Sequence, residues 1–123
     1  MGSTVDATRI PFIEDGEDLV LLNGIDGTVA LANLAEGYRV RLTWQPEHLP
    51  SLGLWLTNRG RKEPPWKGRH LAIGMEPVCS PFGLGPETAR ANNPMKASGT
   101  PTAYPFKAAT PFVTTYRIAA EAL

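Results

Sequence analysis

Proline and glycine set the first limit on this chain. Twelve of each are scattered through 123 residues, which argues against long helices and for short strands separated by turns. The clearest strand lies between Glu36-Gly37 and Pro46. There Tyr38, Val40, Leu42 and Trp44 alternate with Arg39, Arg41 and Thr43, the period of two expected of a half-buried strand. Leu52–Asn58 repeats the pattern, with Leu52, Leu54 and Leu56 on one face and Gly53, Trp55 and Thr57 on the other. A third strand is expected from His70 to Glu76, stopped by Pro77, with Leu71, Ile73 and Met75 as its core face.

Residues 1–8 show no periodicity and are expected to be loosely attached. Arg9 to Glu14 reads as an edge strand that tolerates Pro11. Asp18–Asn23 and Thr28–Leu34 are apolar runs joined through Gly24 and Asp26-Gly27, which predicts a hairpin. Pro86 followed by Glu87–Ala91 predicts a short helix over 86–91. Tyr104 and Phe106 are expected to pin the segment 95–110 to the core. Phe112–Ala119, rich in β-branched and aromatic residues, predicts a strand near the sheet centre. The elements add up to one all-β domain over residues 1–123, an antiparallel β-sandwich with one short helix.

Twelve basic and twelve acidic residues cancel, so charge favours neither nucleic acid nor an acidic membrane surface as partner. No apolar run approaches membrane-spanning length, and MGSTVDATRI lacks the apolar centre of a signal peptide. The single cysteine, Cys79, cannot form an internal disulfide, which fits a reducing cytoplasm. There is no phosphate loop, no dinucleotide fingerprint and no Cys/His cluster spaced for metal, so neither cofactor nor metal is expected. His48, in the proline-bracketed loop after Trp44, is expected at the surface.

The chemistry that remains gathers around 66–76. On the second face of the His70–Glu76 strand, Ala72 and Gly74 leave room above the sheet and Glu76 stands at the end of the open strip. That suits a small polar ligand lying across the strand, and equally a solvent-facing Glu at a strand end. His70 shares this face, but six residues of strand separate it from Glu76 by roughly 20 Å. Trp55 is either a core tryptophan or an indole that stacks on the apolar face of a sugar ring. Arg39 and Arg41 either line a polar binding face or form the solvated side of the sheet. The loop 59–69, RGRKEPPWKGR, is basic, carries Trp66 and is too long for a tight hairpin; such loops often hold binding residues.

The strand 70–76 running into Glu76-Pro77, with Pro64-Pro65-Trp66 and Gly68-Arg69 before it, resembles the G-[IL]-E-P strand of the aldose 1-epimerases, the galactose-mutarotase-like proteins. The resemblance extends through LGLWLTNRG (52–60) and PFVTTYRIAA (111–120) and covers about residues 18–120, similar to the C-terminal part of a full family member. It implies a galactose-mutarotase-like fold, here a partial supersandwich. It also implies a cytoplasmic isomerase of carbohydrate metabolism, acting on a small-molecule sugar. Mutarotation needs a base at the C1 hydroxyl and an acid at the ring oxygen, facing each other across the sugar. The family's base falls on Glu76; Trp55, Arg41, Arg39, Trp66 and His70 are the residues of this chain expected to accompany it on the sugar-binding side. The family's acid is a histidine in a part of the fold that precedes the matched span, and neither His48 nor His70 occupies its place. The sequence therefore leaves three functions open: an epimerase completed by another chain, a carbohydrate-binding module, or a β domain without ligand. Half of a large sandwich should also expose sheet edges and apolar face, which predicts a homo-oligomer.

Overall fold

The computed structural model describes residues 6–12 and 14–123. These described residues form six strands in chain order: β1 (Gly16–Asn23), β2 (Thr28–Asn33), β3 (Tyr38–Trp44), β4 (Ser51–Asn58), β5 (Leu71–Val78) and β6 (Tyr116–Ala122). Between β5 and β6 lie the short helix α1 (Gly85–Arg90) and a single further turn, α2 (Pro94–Ala97). The strands form two three-stranded sheets, β1-β4-β5 and β2-β3-β6. The fold is all-β and sandwich-like in its complement of sheets, with antiparallel pairing dominant and one short helix, as the sequence predicts. The chain forms two compact units, the first of Met1–Val20 with Gly53–Glu76, the second of Leu21–Leu52 with Pro77–Leu123.

In the first unit, β4 and β5 run antiparallel. Gly53 faces Glu76 and Trp55 faces Gly74, and beyond the strands the Arg59 N–H donates to the His70 carbonyl at 2.8 Å. Alternation puts Leu56 inward, 3% exposed, and leaves Trp55 half-buried on the other face. Fully buried Asn58 anchors the N-terminal segment: its Nδ2 donates to the carbonyls of Phe12 (3.2 Å) and Glu14 (2.6 Å), and its Oδ1 accepts from the Phe12 N–H (2.9 Å).

That anchoring replaces the edge strand expected over Arg9 to Glu14. The described residues there are bends and irregular backbone, because one amide side chain rather than a ladder satisfies Phe12 and Glu14; Ile13 lies outside the described residues. The loose attachment expected of residues 1–8 falls on 1–5 outside the described residues, while Asp6 Oδ1 accepts from Thr8 N–H (3.0 Å) and Oγ1 (2.6 Å). Nor does Pro77 stop β5, which continues to Val78. β5 is an edge strand, where a missing N–H costs no ladder bond. The same edge position exposes Leu71, at the strand's start, rather than burying it.

In the second unit, β3 is the central strand of its sheet. It pairs with β2 from Thr28↔Thr43 to Asn33↔Tyr38 and with β6 from Tyr38↔Ala122 to Trp44↔Tyr116, both antiparallel. Leu42 and Trp44 are buried, as is Leu52, and Trp44 Nε1 donates to the Leu49 carbonyl at 2.8 Å. The turn between β2 and β3 closes through Gly37 N–H on the Asn33 carbonyl (2.9 Å) and Glu36 N–H on Asn33 Oδ1 (3.1 Å). Asn93 caps α2 by accepting from the Lys96 N–H.

Four expectations fail here. β1 and β2 do not form a hairpin; they belong to different sheets. Gly27, at φ +77°, is committed to close packing under β3, where an added Cβ would lie 2.6 Å from the Trp44 carbonyl oxygen. The last strand starts at Tyr116, not Phe112, and lies at a sheet edge, not the centre. Thr114 and Thr115 are held instead by the Gln45 side chain (3.2 and 2.9 Å). Tyr104 packs with Phe112 (4.6 Å between rings) and His48 (5.5 Å), so His48 is half-buried in an aromatic cluster rather than set at the surface. Phe106 touches this cluster but is largely exposed and pins nothing.

Candidate functional site

The loop joining β4 to β5 is shaped by its own backbone. Around Pro64-Pro65, the Trp66 and Lys67 N–H groups donate to the Glu63 carbonyl (3.0 and 3.1 Å), and Gly68 N–H returns to the Arg61 carbonyl (2.7 Å). This folds Trp66 back over the start of β5. Its ring lies 4.4 Å from that of His70, which is in turn 5.8 Å from the Trp55 ring on β4. The Arg61 guanidinium completes the group, 4.6 Å above Trp55 and 6.0 Å from Trp66, within cation–π range.

Charge holds the cluster in place. Glu17 Oε1 accepts from Trp55 Nε1 (2.5 Å) and from Arg61 Nε (2.7 Å). The Arg61 hydrogen bond, reinforced by that of Trp55 and by the charges of Arg61 and His70, holds the Glu17 carboxyl below its ordinary value. Asp15 pairs with Lys62 and with Arg59 Nε (2.7 Å), and these two hydrogen bonds lower its pKa likewise. The basic loop is thereby neutralised by the acidic residues just before and within β1. Beside the cluster, a shallow depression of about 490 Å³ is lined by Gly60, Arg61, Lys62, Glu63, Pro64 and Trp66. Trp66 is 37% exposed, and His70 Nδ1 is buried with no hydrogen-bond partner among the described residues.

Of the residues singled out from sequence, Trp55, Trp66 and His70 come together. Glu76 is exposed and shares the same stretch of sheet. The space expected above Gly74 is already filled, since a Cβ there would meet both Glu76 Oε1 and Trp55 Cβ at 3.3 Å. Glycine at 74 thus makes room for the chain's own tryptophan and carboxylate. Arg39 and Arg41 stand on β3, in the other sheet and the second unit, where both engage Glu121 (3.3 and 3.7 Å). They are not companions of Trp55 on one sheet; theirs is the solvated side of an antiparallel ladder. Cys79 lines a separate depression of about 440 Å³ with Ser80, Phe82 and Arg90, and burial raises its thiol pKa, which disfavours the reactive thiolate.

Sequence reasoning missed Glu17 and Arg61. A signal was present: acidic Asp15 and Glu17 are spaced two apart, as are basic Arg59 and Arg61, the pattern of two facing charged edges. No group of three or more His, Cys, Asp or Glu able to hold a metal occurs among the described residues, and no helix there is long and apolar enough to cross a membrane. No family model, curated protein or solved structure matches the chain.

Proposed function

We propose that this chain binds a free or modified hexose, in the manner of an aldose 1-epimerase-like protein, and that Trp66 is the stacking surface. The observation that carries the reading is the indole of Trp66, backed by His70 and part-exposed beside a depression whose rim bears Arg61, Lys62 and Glu63. A pyranose presents an apolar C–H face and a rim of hydroxyls. An aromatic plate edged by charged donors and an acceptor is the complement of that shape. Depressions of this size accommodate small ligands. Titration of free hexoses followed by tryptophan fluorescence tests the reading. Saturable binding that Trp66→Ala weakens tenfold or more, about 1.4 kcal/mol, is the expected result; binding unchanged in that variant would place the site elsewhere.

Anomer interconversion is the second reading, favoured by Glu76. Its carboxylate lies beside Trp55 and makes no ion pair among the described residues, so it is available as a base, whereas Glu17 is committed to Arg61. The reaction also needs an acid opposite that base, and His70, at the far end of the strand, is out of reach of the same atom. Polarimetry separates the two readings. Exchange abolished by Glu76→Gln supports catalysis, while binding without exchange makes the chain a carbohydrate-binding module.

A further inference from the structure

Among the described residues β6 is paired on one side only, and its other edge is open. Nearly all of the strand is exposed, with Tyr116 at 71% and Ile118 at 64%. The Leu123 N–H donates to the Gly37 carbonyl, and the register with β3 continues from there through Arg39↔Glu121, Arg41↔Ala119 and Thr43↔Arg117. Antiparallel ladders alternate, so residues 117, 119 and 121 turn their backbone groups toward β3 and residues 116, 118, 120 and 122 turn theirs to the open edge.

The sequence of this edge is complementary to itself. Arg117 lies two residues before Ala119 and Glu121 two residues after it. We infer that β6 pairs antiparallel with β6 of a second copy about a two-fold axis at Ala119, joining two three-stranded sheets into one. In that register the outward-facing groups of 118 meet those of the partner's Ala120, and those of 116 meet the partner's Ala122. Each large apolar side chain, Tyr116 or Ile118, then stands opposite an alanine.

On the other face Arg117 stands opposite the partner's Glu121, twice by symmetry. Among the described residues Arg117 has no carboxylate partner. Arg39 and Arg41 both contact Oε1 of Glu121, which leaves Oε2 for the incoming guanidinium. Moving the axis to residue 118 or 120 keeps the backbone pairing but separates these charges, so charge selects the register. Charges on an exposed edge usually oppose such pairing; here their placement favours one partner, this chain itself.

Light scattering and cross-linking test the inference. The parent chain is expected to be a dimer at micromolar concentration. Arg117→Glu, which sets like charges against each other, should give a monomer with an unchanged far-UV spectrum. Ala120→Pro, which deletes an N–H at the open edge without touching β3, should do the same. In a Cys79→Ser background, Ala119→Cys should form a disulfide-linked dimer on mild oxidation, because non-hydrogen-bonded partners across an axis come within disulfide reach. A parent that stays monomeric overturns the inference, as does a dimer that survives Arg117→Glu or an Ala119→Cys chain that does not cross-link.

Discussion

Asn58 illustrates how much one side chain decides. It is fully buried and satisfies two carbonyls and one N–H of the segment that precedes β1. Asn58→Ala removes all three partners at once, and a buried polar group left unpaired costs about 1–3 kcal/mol. The expected loss of stability is about 2–3 kcal/mol, measured by denaturant unfolding, and Asn58→Asp, which keeps the acceptor but sets a buried carboxylate against the Phe12 and Glu14 carbonyls, should cost at least as much. Gly27 is the second such residue. Its positive φ and the 2.6 Å approach to the Trp44 carbonyl oxygen leave no room for a methyl group. Gly27→Ala should therefore destabilise by at least 1 kcal/mol, whereas Gly24→Ala, equally left-handed but unobstructed, pays for its backbone conformation alone.

At the scale of elements, the 59–70 loop depends on two carboxylates. Both Asp15 and Glu17 have pKa values lowered in the folded chain, from ordinary values of 3.8 and 4.5. A depressed carboxylate contributes stability that is fully present above its unfolded value and is lost as pH falls through its folded one. The loop should therefore stay in place at pH 6 and loosen only below about pH 4. Trp55 loses its Glu17 partner in that acid range, and a change in tryptophan emission there, ahead of global unfolding, is the expected signal. Arg61→Gln should move that change toward higher pH, because the main cause of the Glu17 shift is removed. An emission profile flat through the acid range until the chain unfolds would contradict this.

The same scale separates what the sequence makes legible from what it does not. Period-two alternation bounded by turns places β3 at Tyr38–Trp44 and β4 within one residue of its start. Such patterns report only which way side chains point. Which strand lies beside which depends on pairing between distant residues, so the sequence signal that joins β1 to β2 does not reveal that they enter different sheets. Residue composition likewise marks β6 as a strand without saying that it is an edge. The candidate site shows the same division. Trp55, Trp66 and His70 are conspicuous as residues, but their convergence arises from β4–β5 pairing and the fold of the loop. Glu17 enters the site from a strand far away in the sequence.

For the whole molecule, the central claim is that a sugar is held at the Trp66 cluster. Ligand that binds only the folded chain raises its stability by RT ln(1 + [L]/Kd), about 1.4 kcal/mol at ten times Kd. For a chain of 123 residues that corresponds to a melting-temperature rise of several degrees. Thermal unfolding of the parent and of Trp66→Ala, each with a series of free aldoses at rising concentration, is the most direct test. The account predicts a saturable rise of several degrees in the parent with at least one hexose, and little or none in Trp66→Ala. A parent whose melting temperature does not move with any aldose, or a variant that shifts as far as the parent, would contradict it.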